Sequence, residues 1–181
     1  MKTSTLLLML VLGTAGLSAG TVADADPETA DGAGTEDVTC FGVHGTVGTP
    51  GSDQLFGTLG DDVLSGIGGR DSVHGRAGND RVCGGNGHDW LPGGAGDDRM
   101  AGGMGGDWLE GGRGSNILFG GPGGDRLFGS YQDPDVIKGG PGDDYIEPRG
   151  SEEGQVVRGG RGVDVCRVDP NSDVRGCESF G

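Results

Sequence analysis

The chain has 181 residues, of which 44 are glycine and only 5% aromatic, too few large side chains for an ordinary globular core. A formal net charge of −15 argues against nucleic acid as a partner and crowds like charges together in any compact state. Glycine-rich acidic chains are ordinarily disordered, so order requires a fixed register.

Met1 and Lys2 precede an apolar run from Leu6 to Leu12 and then small residues, the shape of a secretory signal peptide. It is expected to span residues 1–23, with cleavage between 19 and 25; Ala23-Asp24-Ala25 fits the A-x-A form. The apolar stretch, residues 5–17, is too short to cross a bilayer, so no transmembrane segment is expected. Residues 24–39 read as a flexible polar leader, and residues 40–47 as an N-terminal cap.

From Gly48 to Phe128 the chain consists of nine consecutive units of nine residues. Positions one and four are always glycine, and position eight is always apolar: Leu55, Leu64, Val73, Val82, Leu91, Met100, Leu109, Leu118, Leu127. Position six carries Asp53, Asp62, Asp71, Asp80, Asp89, Asp98, Asp107 and Asp125, with Asn116 in the eighth unit. A period this short predicts a solenoid, because a single unit buries too little without its neighbours. Glycines in the first part of each unit permit a tight turn, and the x-apolar-x triplet predicts a very short strand with its middle side chain inward.

Past Phe128 the register slips. Residues 129–138 form a ten-residue unit with Asp135 and Ile137 in the sixth and eighth roles, which predicts a bulge at Gln132-Asp133-Pro134. Residues 139–147 are regular, with Asp144 and Ile146. Residues 148–158 lack aspartate and read as a metal-free excursion; residues 159–167 return with Asp164, and Cys166 takes the apolar place. The repeats are thus expected over 48–167 and a C-terminal cap over 168–181. Four cysteines in an exported chain predict two disulfides; of three connectivities, sequence proximity favours Cys40–Cys83 and a cap staple, Cys166–Cys177.

The consensus G-G-x-G-x-D-x-(aliphatic)-x resembles the calcium-binding RTX, or haemolysin-type, nonapeptide repeat, and the whole chain is similar to the small secreted bacterial proteins of that type. The resemblance implies an all-β fold, a parallel β-roll or β-helix solenoid with two repeats per coil. Stacked units then sort the carboxylates into two columns. One column holds Asp53, Asp71, Asp89, Asp107 and Asp125; the other holds Asp62, Asp80, Asp98 and Asn116. Calcium takes six to eight oxygens, which carboxylates and glycine-rich backbone can supply, whereas the repeated positions lack nitrogen and sulfur ligands for zinc or copper. Magnesium is disfavoured by its rigid octahedral geometry. Asp53 through Asp125, Asn116, Asp135, Asp144 and Asp164 are the candidate Ca²⁺ ligands, with Asn116 a weaker site whose amide oxygen ligates, for up to roughly nine ions.

One buried apolar side chain per unit does not offset the ordering of nine residues, which predicts that folding and calcium binding are one event, outside the cell. No enzyme is expected: residues 1–47 are too few and too polar for a catalytic domain, and H-E-x-x-H does not occur. Trp90 and Trp108 both occupy position seven, so they should share an outward face one coil apart, stacking on each other or offering a platform for a glycan or cell surface. His44, His74 and His88 fall at unrelated positions and read as solvated surface.

Overall fold

The computed structural model describes residues 41–42, 45–150, 154–168 and 172–180. The expected signal peptide and leader, Cys40 and His44 lie outside the described residues. All elements among the described residues are β-strands, numbered in chain order and stacked in two parallel sheets that form a solenoid of about seven turns.

The first sheet runs β1 (Thr46–Val47), β3 (Val63–Gly69), β6 (Arg81–Gly87), β8 (Arg99–Met104), β10 (Ile117–Phe119), β12 (Val136–Pro141), β14 (Val156–Arg161) and β16 (Asp173–Arg175). The second runs β2 (Gln54–Phe56), β4 (Ser72–His74), β7 (Trp90–Ala95), β9 (Trp108–Arg113), β11 (Arg126–Phe128), β13 (Tyr145–Glu147), β15 (Val165–Cys166) and β17 (Ser179–Phe180). A short strand, β5 (Arg76–Ala77), pairs with the far end of β7. Each strand pairs with the unit two along, as in Leu64↔Val82↔Met100 and Trp90↔Trp108. Two repeats therefore make one coil. Several strands run past the expected triplet into the following glycines, β3 through Gly69 for example, because those glycines keep pairing with the next coil.

Between the sheets lies a single file of side chains from position eight. Leu64, Val73, Val82, Leu91, Met100, Leu109, Leu118, Leu127, Ile137, Ile146, Val157 and Cys166 are all buried and in one cluster. The backbone coils pack so closely that particular turn positions have no room for a side chain. Gly87, at φ 144, lies so near the Gly69 carbonyl that any methyl there would overlap it.

The tenth unit carries its extra residue as expected: Ile117 pairs with Val136, nineteen residues on, and Ser130 Oγ closes the bulge by accepting from Asp133 N–H at 2.9 Å. The reading of residues 148–158 as an excursion is corrected. Residues 156–158 pair with β12, Val157 is in the core, and Gln155 takes the aspartate position. Beyond the repeats, β16 and β17 continue both stacks. Cys166 and Cys177 form a disulfide, with Cα atoms 5.8 Å apart, that ties the last coil to the one before. Cys83 is disulfide-bonded; the expected partner, Cys40, lies outside the described residues.

Candidate metal sites

Position six lies where each turn enters its strand, and its side chain points inward over the coil. One oxygen of each side chain serves the backbone. Asp71 Oδ1 accepts the N–H of Asp53 at 2.8 Å, Asp80 that of Asp62, Asp89 that of Asp71, and Asp98 that of Asp80. The second-sheet ladder continues through Asp107, Asp125 and Asp144 to Asp164, whose own N–H donates to Glu178 Oε2 at 3.0 Å. The strand-side N–H that a turn would otherwise orphan is thus capped from the next coil. Glu178, absent from the sequence-derived ligands, extends the column into the cap.

The other oxygen has no such role. In Asp71, Asp80, Asp89, Asp98, Asp107, Asp125, Asp144 and Asp164, Oδ2 is buried and without a hydrogen-bond partner. Each unpartnered oxygen faces the position-one glycine of its own unit and a carbonyl of the next coil. A methyl group on Gly93 would come 2.5 Å from Asp98 Oδ2 and 2.7 Å from the Gly111 carbonyl oxygen; at Gly75 the same two contacts, to Asp80 Oδ2 and the Gly93 carbonyl, are both 2.5 Å. Each turn therefore holds a small oxygen-lined cradle that only glycine leaves open.

These cradles fit a hard cation. Eight buried, unpaired carboxylate oxygens are a large desolvation cost unless a positive charge meets them. Among the described residues no three His, Cys, Asp or Glu side chains converge, so most donors must be backbone carbonyls. Such an all-oxygen, mostly neutral set suits calcium and not a transition metal.

The carboxylates' proton affinities tell the same story. Burial, chiefly, pushes Asp98 up to about 7, Asp107 to about 6, Asp125 to about 8 and Asp144 to about 7, with the carboxylate one coil away adding to each. Burial likewise raises Asp71, Asp80, Asp89, Asp135 and Asp164.

The remaining predicted ligands are built differently. At Asp53 and Asp62, Oδ2 accepts from the N–H of Thr49 and Thr58, 2.5 Å each, and from their hydroxyls at 2.8 and 2.9 Å. Asp135 Oδ2 accepts from Ser130 N–H at 2.6 Å. The cause is the second position of the unit. Where it is Gly103 or Gly121, at φ 108 and 106, its N–H turns to the next coil's carbonyl and leaves the carboxylate alone. Thr49, Thr58 and Ser130 lie outside that left-handed region, so their N–H groups reach Oδ2 instead. Asn116 follows the ladder with Oδ1, 3.0 Å from Asp98 N, which puts its NH₂ in the cradle, donating to the Gly114 carbonyl at 3.0 Å.

Outside the cradles, position five forms a second ladder that sequence reading missed. Asp61, Asn79 and Asp97 accept N–H groups from Asn79, Asp97 and Ser115 one coil on, at 2.7–2.8 Å, and His88 Nδ1 accepts from Gly106 N–H at 2.8 Å. His74 also departs from the solvated role expected of it. It lies between Phe56 and Trp90, ring centres 4.9 and 4.8 Å away, because position nine projects outward beside position seven. Trp108 contacts Phe128 at 4.8 Å, and Phe128 contacts Tyr145 at 6.0 Å. Trp90 and Trp108 remain 47% and 40% exposed and line a groove of about 460 Å³ with Arg70, His88 and Arg126.

A model of the RTX calcium-binding nonapeptide repeat family, four repeat copies long, matches residues 47–82, 58–91, 78–109, 101–130 and 131–148. No curated protein matches the chain. With more than half of its length covered, the chain belongs to the RTX calcium-binding nonapeptide repeat family.

Proposed function

We propose that this RTX-repeat chain is a secreted, non-enzymatic calcium-binding protein whose coils close only as the ions bind. The observation that carries the proposal is the set of eight buried aspartate oxygens with no partner, each beside a backbone carbonyl. When bound, calcium supplies the positive charge those oxygens lack and joins one coil to the next. Asp71, Asp80, Asp89, Asp98, Asp107, Asp125, Asp144 and Asp164 would hold it, each through Oδ2 while Oδ1 keeps its backbone bond. The Cys166–Cys177 disulfide supports an oxidising, extracellular setting, and an extracellular calcium concentration would fold the chain only after export. Circular dichroism of the mature chain in chelator, in magnesium and in millimolar calcium tests this. A β spectrum that arises in calcium alone is the expected result; the same spectrum in chelator at neutral pH would end the proposal.

A second reading is favoured by the ring row of the second sheet. Its exposed indoles and the groove beside them, with Arg70 and Arg126, suit a glycan or cell-surface partner held by a calcium-ordered face. Replacing Trp90 and Trp108 together by alanine should then abolish glycan retention while the calcium-induced spectrum persists. Retention that survives the double substitution rules this reading out.

A further inference from the structure

Along the first-sheet edge, the position-six side chains in order are Asp62, Asp80, Asp98, Asn116, Asp135 and Gln155; along the second they are Asp53, Asp71, Asp89, Asp107, Asp125, Asp144 and Asp164. The two edges differ in what fills their cradles. On the second edge, every turn from Asp71 to Asp164 presents an unpartnered Oδ2. On the first edge only the aspartates Asp80 and Asp98 do so; Asp135 Oδ2 meets the Ser130 N–H, while Asn116 and Gln155 turn an NH₂ into the cradle, Gln155 keeping its Oε1 buried and without a partner.

Asn116 shows why the difference is chemical. Its Oδ1 must accept the Asp98 N–H, since a donor there would face a donor. The amide nitrogen is thereby fixed in the place where Asp98 and Asp107 have an oxygen. The three atoms nearest a methyl on Gly111 all belong to Asn116, Nδ2 closest at 2.7 Å, whereas neighbouring turns bring in a carbonyl of the next coil. At Gln155, Nε2 donates to the Gly150 carbonyl at 3.1 Å and would likewise be the atom nearest a methyl on Gly150, at 2.9 Å. Between them, Asp135 is met by Ser130 N–H.

We infer that the turns of Asn116, Asp135 and Gln155 are closed by the chain's own N–H groups and take no calcium, so that ions load along one edge without a break from Asp71 to Asp164 and along the other only at Asp80 and Asp98. At Asn116 and Gln155 an amide NH₂ occupies the cradle, donating to a carbonyl of its own turn and removing one negative charge from each of these rungs. The inference rests on the calcium reading above. It replaces the expectation that Asn116 ligates weakly through its oxygen.

Bound calcium per saturated chain, measured by atomic emission after gel filtration, tests it on the disulfide-intact mature protein. Asn116→Ala should leave the ion count unchanged, and Asn116→Asp should raise it by one. Gln155→Asp provides the same test at an independent rung, should the first variant fold poorly. Loss of an ion in Asn116→Ala, or no gain in either aspartate variant while the β spectrum is retained, would overturn the inference. A wild-type chain that binds no calcium at all would instead refute the underlying calcium reading, so the two failures are distinct.

Discussion

The cradle can be tested by filling it. Gly93 does not occupy the left-handed region, so alanine there meets no backbone strain. Its methyl would lie 2.5 Å from Asp98 Oδ2 and 2.7 Å from the Gly111 carbonyl, about 1 Å inside a normal contact of roughly 3.5 Å. Overpacking of that kind costs about 1–3 kcal/mol. A site lost at a calcium concentration a hundredfold above its dissociation constant costs about 2.7 kcal/mol more, for a total of roughly 4–6 kcal/mol. Concentration separates the two effects. Each ion bound only by the folded state adds about 1.4 kcal/mol per tenfold rise in calcium, so Gly93→Ala should fall behind wild type by that amount per decade. Urea unfolding at several saturating calcium concentrations reads the slope. A Gly93→Ala gap that stays constant with calcium, at an unchanged ion count, refutes the cradle as the ion's place.

Protons should compete with calcium for the same oxygens. The folded values of Asp98, Asp107, Asp125 and Asp144, about 6 to about 8, lie above the ordinary 3.8, so in metal-free solution their protonation favours the roll; that contribution is complete below about pH 4 and is lost as pH rises through about 6–8. Metal-free chain should therefore gain β structure on acidification, and calcium affinity should fall over the same window; circular dichroism that is flat from about pH 8 to about pH 4 contradicts this. Leu109→Ala, at a fully buried core position, should cost about 2–5 kcal/mol in calcium-saturated urea unfolding, against under about 0.5 kcal/mol for a substitution at the exposed Leu59. Opening the Cys166–Cys177 bond by a double serine substitution should lower stability by about 2–4 kcal/mol and expose the last coil to proteolysis first; unchanged cleavage sites would show that the bond does not hold that coil.

The sequence made the roll legible because its repeat is strict. Glycine at positions one and four and an apolar residue at eight fix both the turn and the inward side chain, while the pairing Leu64↔Val82, two units apart, follows from the resemblance to the RTX repeat. What spacing hides is the direction of an N–H group. Ile67 and Arg76 hold position two at φ 81 and 83, like the glycines after them, while Thr49 and Thr58 do not, and no count of residues reveals that their carboxylates are capped locally. The rung of Gln155 was obscured for a different reason. Aligning on aspartate rather than on Val157 loses the register. Glu178 is hidden because it stands 14 residues after Asp164, off the spacing that the repeats set.

The ladder also explains why neutral rungs belong in such a chain. Each added coil satisfies one more pair of backbone N–H groups through Oδ1, a gain that scales with length. Each also adds buried negative charge next to the last, which adds to the burial that chiefly raises the proton affinity of the mid-roll carboxylates Asp98 and Asp125. In the absence of cations, lengthening an all-aspartate roll therefore raises the repulsion along each column with every rung. An amide at the same position keeps the backbone bond, as Asn116 does toward Asp98, and removes the charge. Placing Asn116 and Gln155 on one edge breaks that column's repulsion while the opposite column stays unbroken from Asp71 to Asp164. On this logic Asn116→Asp should make the roll more demanding of calcium: the variant should need a higher concentration to reach half its β signal, even as it binds one ion more at saturation. A variant that folds at lower calcium than wild type would show that charge repulsion along the column is not what the amide relieves.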